Sequence, residues 1–78
     1  MKVSYLRMKR EEAGLTQREL AQMLGVDFSV ISRIELYKAK LSRKNALKLC
    51  ELLNIDYEDY LRAITNKEFY TVRYEKVD

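Results

Sequence analysis

The 78-residue chain predicts an all-α domain of five short helices followed by a strand-like tail. Three observations carry that expectation. There is no proline and there are only two glycines, which favours helices joined by short connections. Apolar residues recur at three- and four-residue spacing as far as Ile64, whereas Phe69 to Val77 alternates with a period of two. Capping residues punctuate the helical part, with Ser4, Thr16, Asp27, Ser42 and Asp56 at starts and Gly14, Gly25 and Asn54 at stops. This length makes one small core. Residues 1–66 form the helical domain and 67–78 a C-terminal tail.

Val3 to Ala13 reads as helix 1, with Ser4 able to cap it and Leu6, Arg10 and Ala13 on one face. An arginine turned inward is costly unless it is paired. Glu35 is the evident partner; the open alternative is that both point into solvent. Leu15 precedes Thr16 as a hydrophobic staple, and Thr16 with Glu19 three residues on is a capping box. These open helix 2, Gln17 to Leu24. Asp27 caps helix 3, Phe28 to about Leu36.

Helices that cross steeply over a tight turn bring their backbones close together. Ala21 is small enough for the crossing, Gly25 tolerates the positive φ of the turn, and Ile31 faces back into the corner. Leu20 with Leu24, and Ile31 with Ile34, supply its apolar pairs. Tyr37 to Leu41 is a basic loop with neither glycine nor asparagine, so the end of helix 3 is set only to within a residue or two. Helix 4 follows Ser42, with Ala46, Leu49, Cys50 and Leu53 as its inner stripe and Leu47 adding to it. Asp56 and Asp59 open helix 5, which carries Tyr57, Tyr60, Leu61 and Ile64 and ends near Thr65–Asn66.

In the tail, Tyr70, Val72 and Tyr74 share one face, and Phe69, Thr71 and Arg73 the other. No second strand is expected in the chain. Pairing with the same strand of another copy is therefore the expectation, through Phe69, Tyr70, Val72 and Tyr74. A disordered tail and a strap across the domain remain open.

The net charge is only +3, but it is unevenly spread. Arg33, Lys38, Lys40, Arg43, Lys44 and Lys48 face Glu35 alone between residues 28 and 50, whereas Glu51, Asp56, Glu58 and Asp59 have no base among them up to residue 61. A basic run that begins inside the second helix of the corner points to a surface for phosphates. With Ile31 and Ile34 inward, Phe28, Ser29, Ser32 and Arg33 turn outward and would read bases in a DNA major groove. Arg33 suits guanine O6 and N7, Phe28 a thymine methyl, and the two serines bases or phosphates. Asp27 is a cap or, less simply, a contact to a cytosine amino group. Phe28 has the alternative of being a half-buried core aromatic. Gln17, Arg18, Lys38, Lys40, Arg43 and Lys44 are the phosphate candidates. An ordinary helical corner with no DNA role is the bland alternative.

Catalysis is not expected. There is no histidine, no metal-ligand cluster and no glycine-rich phosphate loop. Asp56, Glu58 and Asp59 simply favour a helix dipole. Cys50, with no partner for a disulfide, reads as a small buried hydrophobe in a reducing cytoplasm. No apolar run approaches ~18 residues and no signal segment follows Met1, so neither membrane nor cofactor is expected.

These residues together resemble the Cro/C1-type (XRE) helix-turn-helix family over about residues 3–65. The matching segments are GLTQRELA from Gly14, LGV from Leu24, ISRIE from Ile31 and LNID from Leu53. The resemblance implies a five-helix, lambda-repressor-like domain with a helix-turn-helix. It also implies a phosphate contact by Gln17, a groove-facing row of Asp27, Phe28, Ser29, Ser32 and Arg33, and a structural pair of Arg10 with Glu35. Phe28, where relatives are often polar, and the loop at Tyr37 without its glycine depart from the family pattern. The function implied is a sequence-specific double-stranded DNA-binding transcriptional regulator, a repressor of a prokaryote, phage or mobile element. It would bind an inverted-repeat operator as a homodimer. The alternative is an antitoxin or anti-repressor whose tail adds a strand to a partner protein, with DNA binding as autoregulation.

Overall fold

A computed structural model describes residues 1–71 of the chain. Its elements run β1 (Lys2–Ser4), α1 (Tyr5–Glu12), α2 (Gln17–Leu24), α3 (Phe28–Glu35), α4 (Arg43–Leu53), α5 (Tyr57–Asn66) and β2 (Phe69–Thr71). Five helices are present, with a small sheet added. Leu6, Leu20, Leu24, Ile31, Ile34, Ala46, Leu49, Cys50, Leu53, Tyr60 and Ala63 fill one core, reached from every helix. No helix among the described residues is long and apolar enough to cross a membrane.

The two ends of the chain differ from the sequence expectation, and for one reason. Helix 1 does not begin at Val3: Lys2–Ser4 is extended and pairs antiparallel with Phe69–Thr71, setting Lys2 opposite Thr71, Val3 opposite Tyr70 and Ser4 opposite Phe69. Three residues are too few to show a period of two, so this strand is invisible in the sequence. The tail strand is therefore not without a partner in its own chain. Val3, 2% exposed, is buried beneath this pairing. Ser4 ends the strand and caps α1, its Oγ accepting the Arg7 N–H at 3.2 Å. Val72 and Tyr74 lie outside the described residues.

Two smaller corrections concern faces. Leu47 does not join the inner stripe of α4 and is exposed; one residue beyond Ala46 is a turn of about 100° around the helix. Ala13 is the exposed C-cap of α1 rather than part of its inner face.

Each of the five described helices ends in the same way. The residue after the last turn adopts positive φ: Gly14, Gly25, Tyr37, Asn54 and Lys67. The following N–H reaches back across the turn, as Val26 does to Ala21 O at 3.0 Å, Lys38 to Arg33 O at 2.9 Å and Glu68 to Ala63 O at 3.0 Å. These are Schellman caps, which satisfy carbonyls that a helix end otherwise leaves open.

Candidate nucleic-acid interface

The candidate interface is built on the corner between α2 and α3. Thr16 Oγ1 accepts the Glu19 N–H at 3.1 Å and Glu19 Oε1 accepts the Thr16 N–H at 3.1 Å, closing the capping box. The Thr16 N–H first, and the Thr16 side chain after it, hold the Glu19 carboxyl below its ordinary pKa. Ala21 is 3% exposed, Gly25 has φ +69° and Ile31 is fully buried. Ala21, Gly25 and Ile31 thus take the small, turn-forming and inward-facing roles expected of them in the corner.

Behind the corner lies a buried ionic network. Arg10 Nε donates to Glu35 Oε2 at 2.6 Å and Arg10 Nη2 to Glu35 Oε1 at 3.3 Å. Arg10 Nη1 donates to the Leu15 carbonyl at 2.8 Å, and Gln17 Nε2 to Glu35 Oε1 at 3.1 Å. Residues from α1, the α1–α2 turn, α2 and α3 are therefore fixed by one carboxylate and one guanidinium. Such a two-pronged pair is geometrically specific. Gln17, expected on a phosphate, has its side-chain amide turned inward on Glu35.

The outward side of α3 carries Phe28, 43% exposed, with Ser29 and Arg33 also exposed and Ser32 half-buried. Asp27 caps the helix: its Oδ1 accepts the Ser29 N–H at 2.9 Å and the Ser29 hydroxyl at 3.0 Å. The backbone bond, then the hydroxyl, holds the Asp27 carboxyl below its ordinary pKa. Ser32 lines a small cleft with Gln17, Glu35, Leu36 and Phe69, on the side of α3 towards the sheet. Arg18 lies over the ring of Phe28, its Cζ 5.2 Å from the centroid. Lys38 and Lys40 occupy the loop after α3, and Arg43 and Lys44 the first turn of α4; all four are exposed. Phe28, Ser29 and Arg33 are thus left exposed on α3, and the exposed cations follow them along the chain.

Sequence reasoning did not find Tyr37. Its backbone takes the left-handed turn at φ +59°. Its hydroxyl accepts the Tyr5 N–H at 3.2 Å and donates to the Glu68 carbonyl at 2.6 Å. Its ring meets Phe69 edge-on, centroids 5.3 Å apart. Tyr37 therefore ties the end of α3 to the start of α1 and to the residue before β2. An aromatic residue at a turn lacking glycine was the available signal. Of the residues expected to join two copies, Phe69 is exposed beside Tyr37, while Tyr70 is half-buried against Tyr5 with centroids 6.3 Å apart.

A helix-turn-helix family model matches residues 6–60, from the first turn of α1 into α5. No curated protein matches the chain.

Proposed function

The chain belongs to the Cro/C1-type (XRE) helix-turn-helix family, and on that premise we propose that it represses transcription by binding an inverted-repeat operator as a dimer. Membership makes it a DNA-binding transcription regulator of the XRE type. The observation that carries the finer reading is the split surface of α3. Ile31 and Ile34 are buried while Phe28, Ser29 and Arg33 are exposed, as are Lys38, Lys40, Arg43 and Lys44, which follow in the chain.

In this reading α3 enters the major groove with its N-terminal end foremost, and α2 lies across the backbone. Arg33 reads a guanine through its two-pronged donors. Phe28 is the apolar reader. Ser29 serves chiefly through its bond to Asp27, which fixes the first turn, and Ser32 lies at the margin. The four cations beyond α3 hold phosphates and set register. Gln17 reaches a phosphate only by leaving Glu35; otherwise it acts by orienting that carboxylate. Footprinting of the purified full chain on the DNA upstream of its own gene tests the reading. Protection of an inverted repeat is expected, with half-sites about one helical turn, roughly 34 Å, apart. An absence of any shift even at low salt would remove it.

The dimer is proposed to form through the tail, with Phe69 at the surface and Val72 and Tyr74 contributing from beyond β2. Among the described residues the sheet has two strands, so β2 has one side with no strand beside it. Such an edge accepts another strand. Light scattering should give the mass of two chains for the full protein and of one for a chain lacking residues 68–78. If the same edge instead takes a strand of a different protein, that protein will co-purify through residues 68–78, as the antitoxin reading requires. A reducing cytoplasm is proposed as its place of action.

A further inference from the structure

We infer that Arg18 and Phe28 act as one unit that reads the C5 methyl group of a pyrimidine, so that binding responds to thymine and to 5-methylcytosine alike. The inference rests on the DNA-binding reading above and adds to it the chemical group recognised.

Phe28 is the first residue of α3 and Arg18 the second of α2, so the pair bridges the two helices at their N-terminal ends. Phe28 remains 43% exposed although a core lies directly behind the next residues of its helix. An aromatic ring left in water at the leading end of a groove-entering helix has one apolar feature to meet on the floor of that groove, the pyrimidine C5 methyl. Cytosine with a C5 methyl presents the same group at the same place.

Arg18 makes the ring a defined reader rather than a loose one. Its guanidinium carbon sits 5.2 Å from the ring centroid, within the range of a cation–π contact. That contact limits the side-chain freedom of Phe28 before DNA arrives, which lowers the ordering cost of binding. It uses the charge of Arg18 and a face of the ring, and it leaves the N–H donors of the guanidinium able to bond a phosphate beside the pyrimidine. A single position would thus carry an apolar base contact and a backbone contact that reinforce each other.

The test begins with full-length protein and a pool of random-sequence duplex DNA. The best-bound sequence is resynthesised with deoxyuridine at single thymines, then with cytosine or 5-methylcytosine at the position found. Removing the sensitive methyl is expected to weaken binding about three- to fivefold, the value of one methyl group taken out of water. 5-Methylcytosine should bind more tightly than cytosine by a similar factor. Phe28→Ala should bring both ratios to about one. Arg18→Ala should shrink them, and Arg18→Lys, which keeps a cation over the ring, should restore part of the discrimination. Lys40→Ala serves as the control, weakening binding while leaving the ratios intact. Binding of DNA with no methyl-sensitive position, or ratios unchanged in Phe28→Ala or Arg18→Ala, overturns the inference alone. A pool from which nothing is enriched overturns the DNA-binding reading and this inference with it.

Discussion

Glu35 is 4% exposed and carries a formal charge in the core, so its neighbours decide whether it stabilises or unravels the fold. Both its oxygens accept hydrogen bonds, Oε2 from Arg10 and Oε1 from Arg10 and Gln17. Removing one partner of a buried pair strands the other charge. Arg10→Met should therefore cost about 3–5 kcal/mol in urea denaturation. Replacing both, as Arg10→Met with Glu35→Leu, should recover most of that loss, because an apolar pair needs no compensating charge. A single substitution as stable as the parent would show that the pair is not what holds α1 to α3. Tyr37 poses a different problem. A non-glycine residue at φ +59° is strained by about 1–2 kcal/mol, and the phenol offsets this through Tyr5 and Glu68. Tyr37→Phe keeps the ring and the strain but loses the hydroxyl, and should destabilise by about 1–2 kcal/mol on thermal unfolding. Tyr37→Gly relieves the strain yet should be no better, since the contact with Phe69 goes too.

At the scale of elements, the corner separates residues that shape α3 from residues that use it. Arg33→Ala should cost about 1–3 kcal/mol of DNA affinity and relax preference at one base pair, whereas Lys40→Ala should weaken all sequences alike and reduce the salt slope by about 1. Equal behaviour in quantitative shift assays over a salt series would refute that division. The helices themselves were legible because caps and periodicity agree: Thr16 with Glu19, Asp27, Gly25 and the Ile31–Ile34 pair all point to the same two elements. The ends of α3 and α5 were harder to read. Their left-handed caps are Tyr37 and Lys67, residue types that do not announce such a turn. β1 was hidden because Lys2–Ser4 is stabilised by a strand more than sixty residues away and not by any local preference. Of the interface, exposure could be inferred from helical geometry, but side-chain partners could not. Gln17 bonds to Glu35, Ser29 to Asp27, and Arg18 rests on Phe28. The first and last of these depend on tertiary distances that spacing along the chain does not encode, whereas Ser29 and Asp27 are neighbours within the helix cap.

For the whole molecule, the ionisable groups define a window of pH in which the fold is most stable. On the acid side, Glu68 is held below its ordinary pKa chiefly by the Tyr70 hydroxyl, and Glu19 and Asp27 by their capping bonds. Their folded forms favour the carboxylate, so what they contribute is present above about pH 4.5 and fades as pH falls through their lowered values. On the alkaline side the sign reverses. Tyr60 of α5, 3% exposed in the core, has its phenol pushed up to about 12 by burial, with smaller contributions from Cys50 and Tyr57. Tyr5 and Tyr37 are raised as well, again mainly by burial. An unfolded chain releases its tyrosine protons near pH 10, whereas the fold retains that of Tyr60, so stability is complete below pH 10 and declines above it. For Tyr60 the decline should reach about 2–3 kcal/mol by pH 12. Denaturant titrations at one-unit intervals from pH 8 to 12 should show it, and Tyr60→Phe, which has no proton to lose, should flatten the slope. The same slope in Tyr60→Phe and the parent would mean that another group governs alkaline unfolding. Tyr37 is the natural second substitution, since its ionisation would also release the link between α3 and the two ends of the chain.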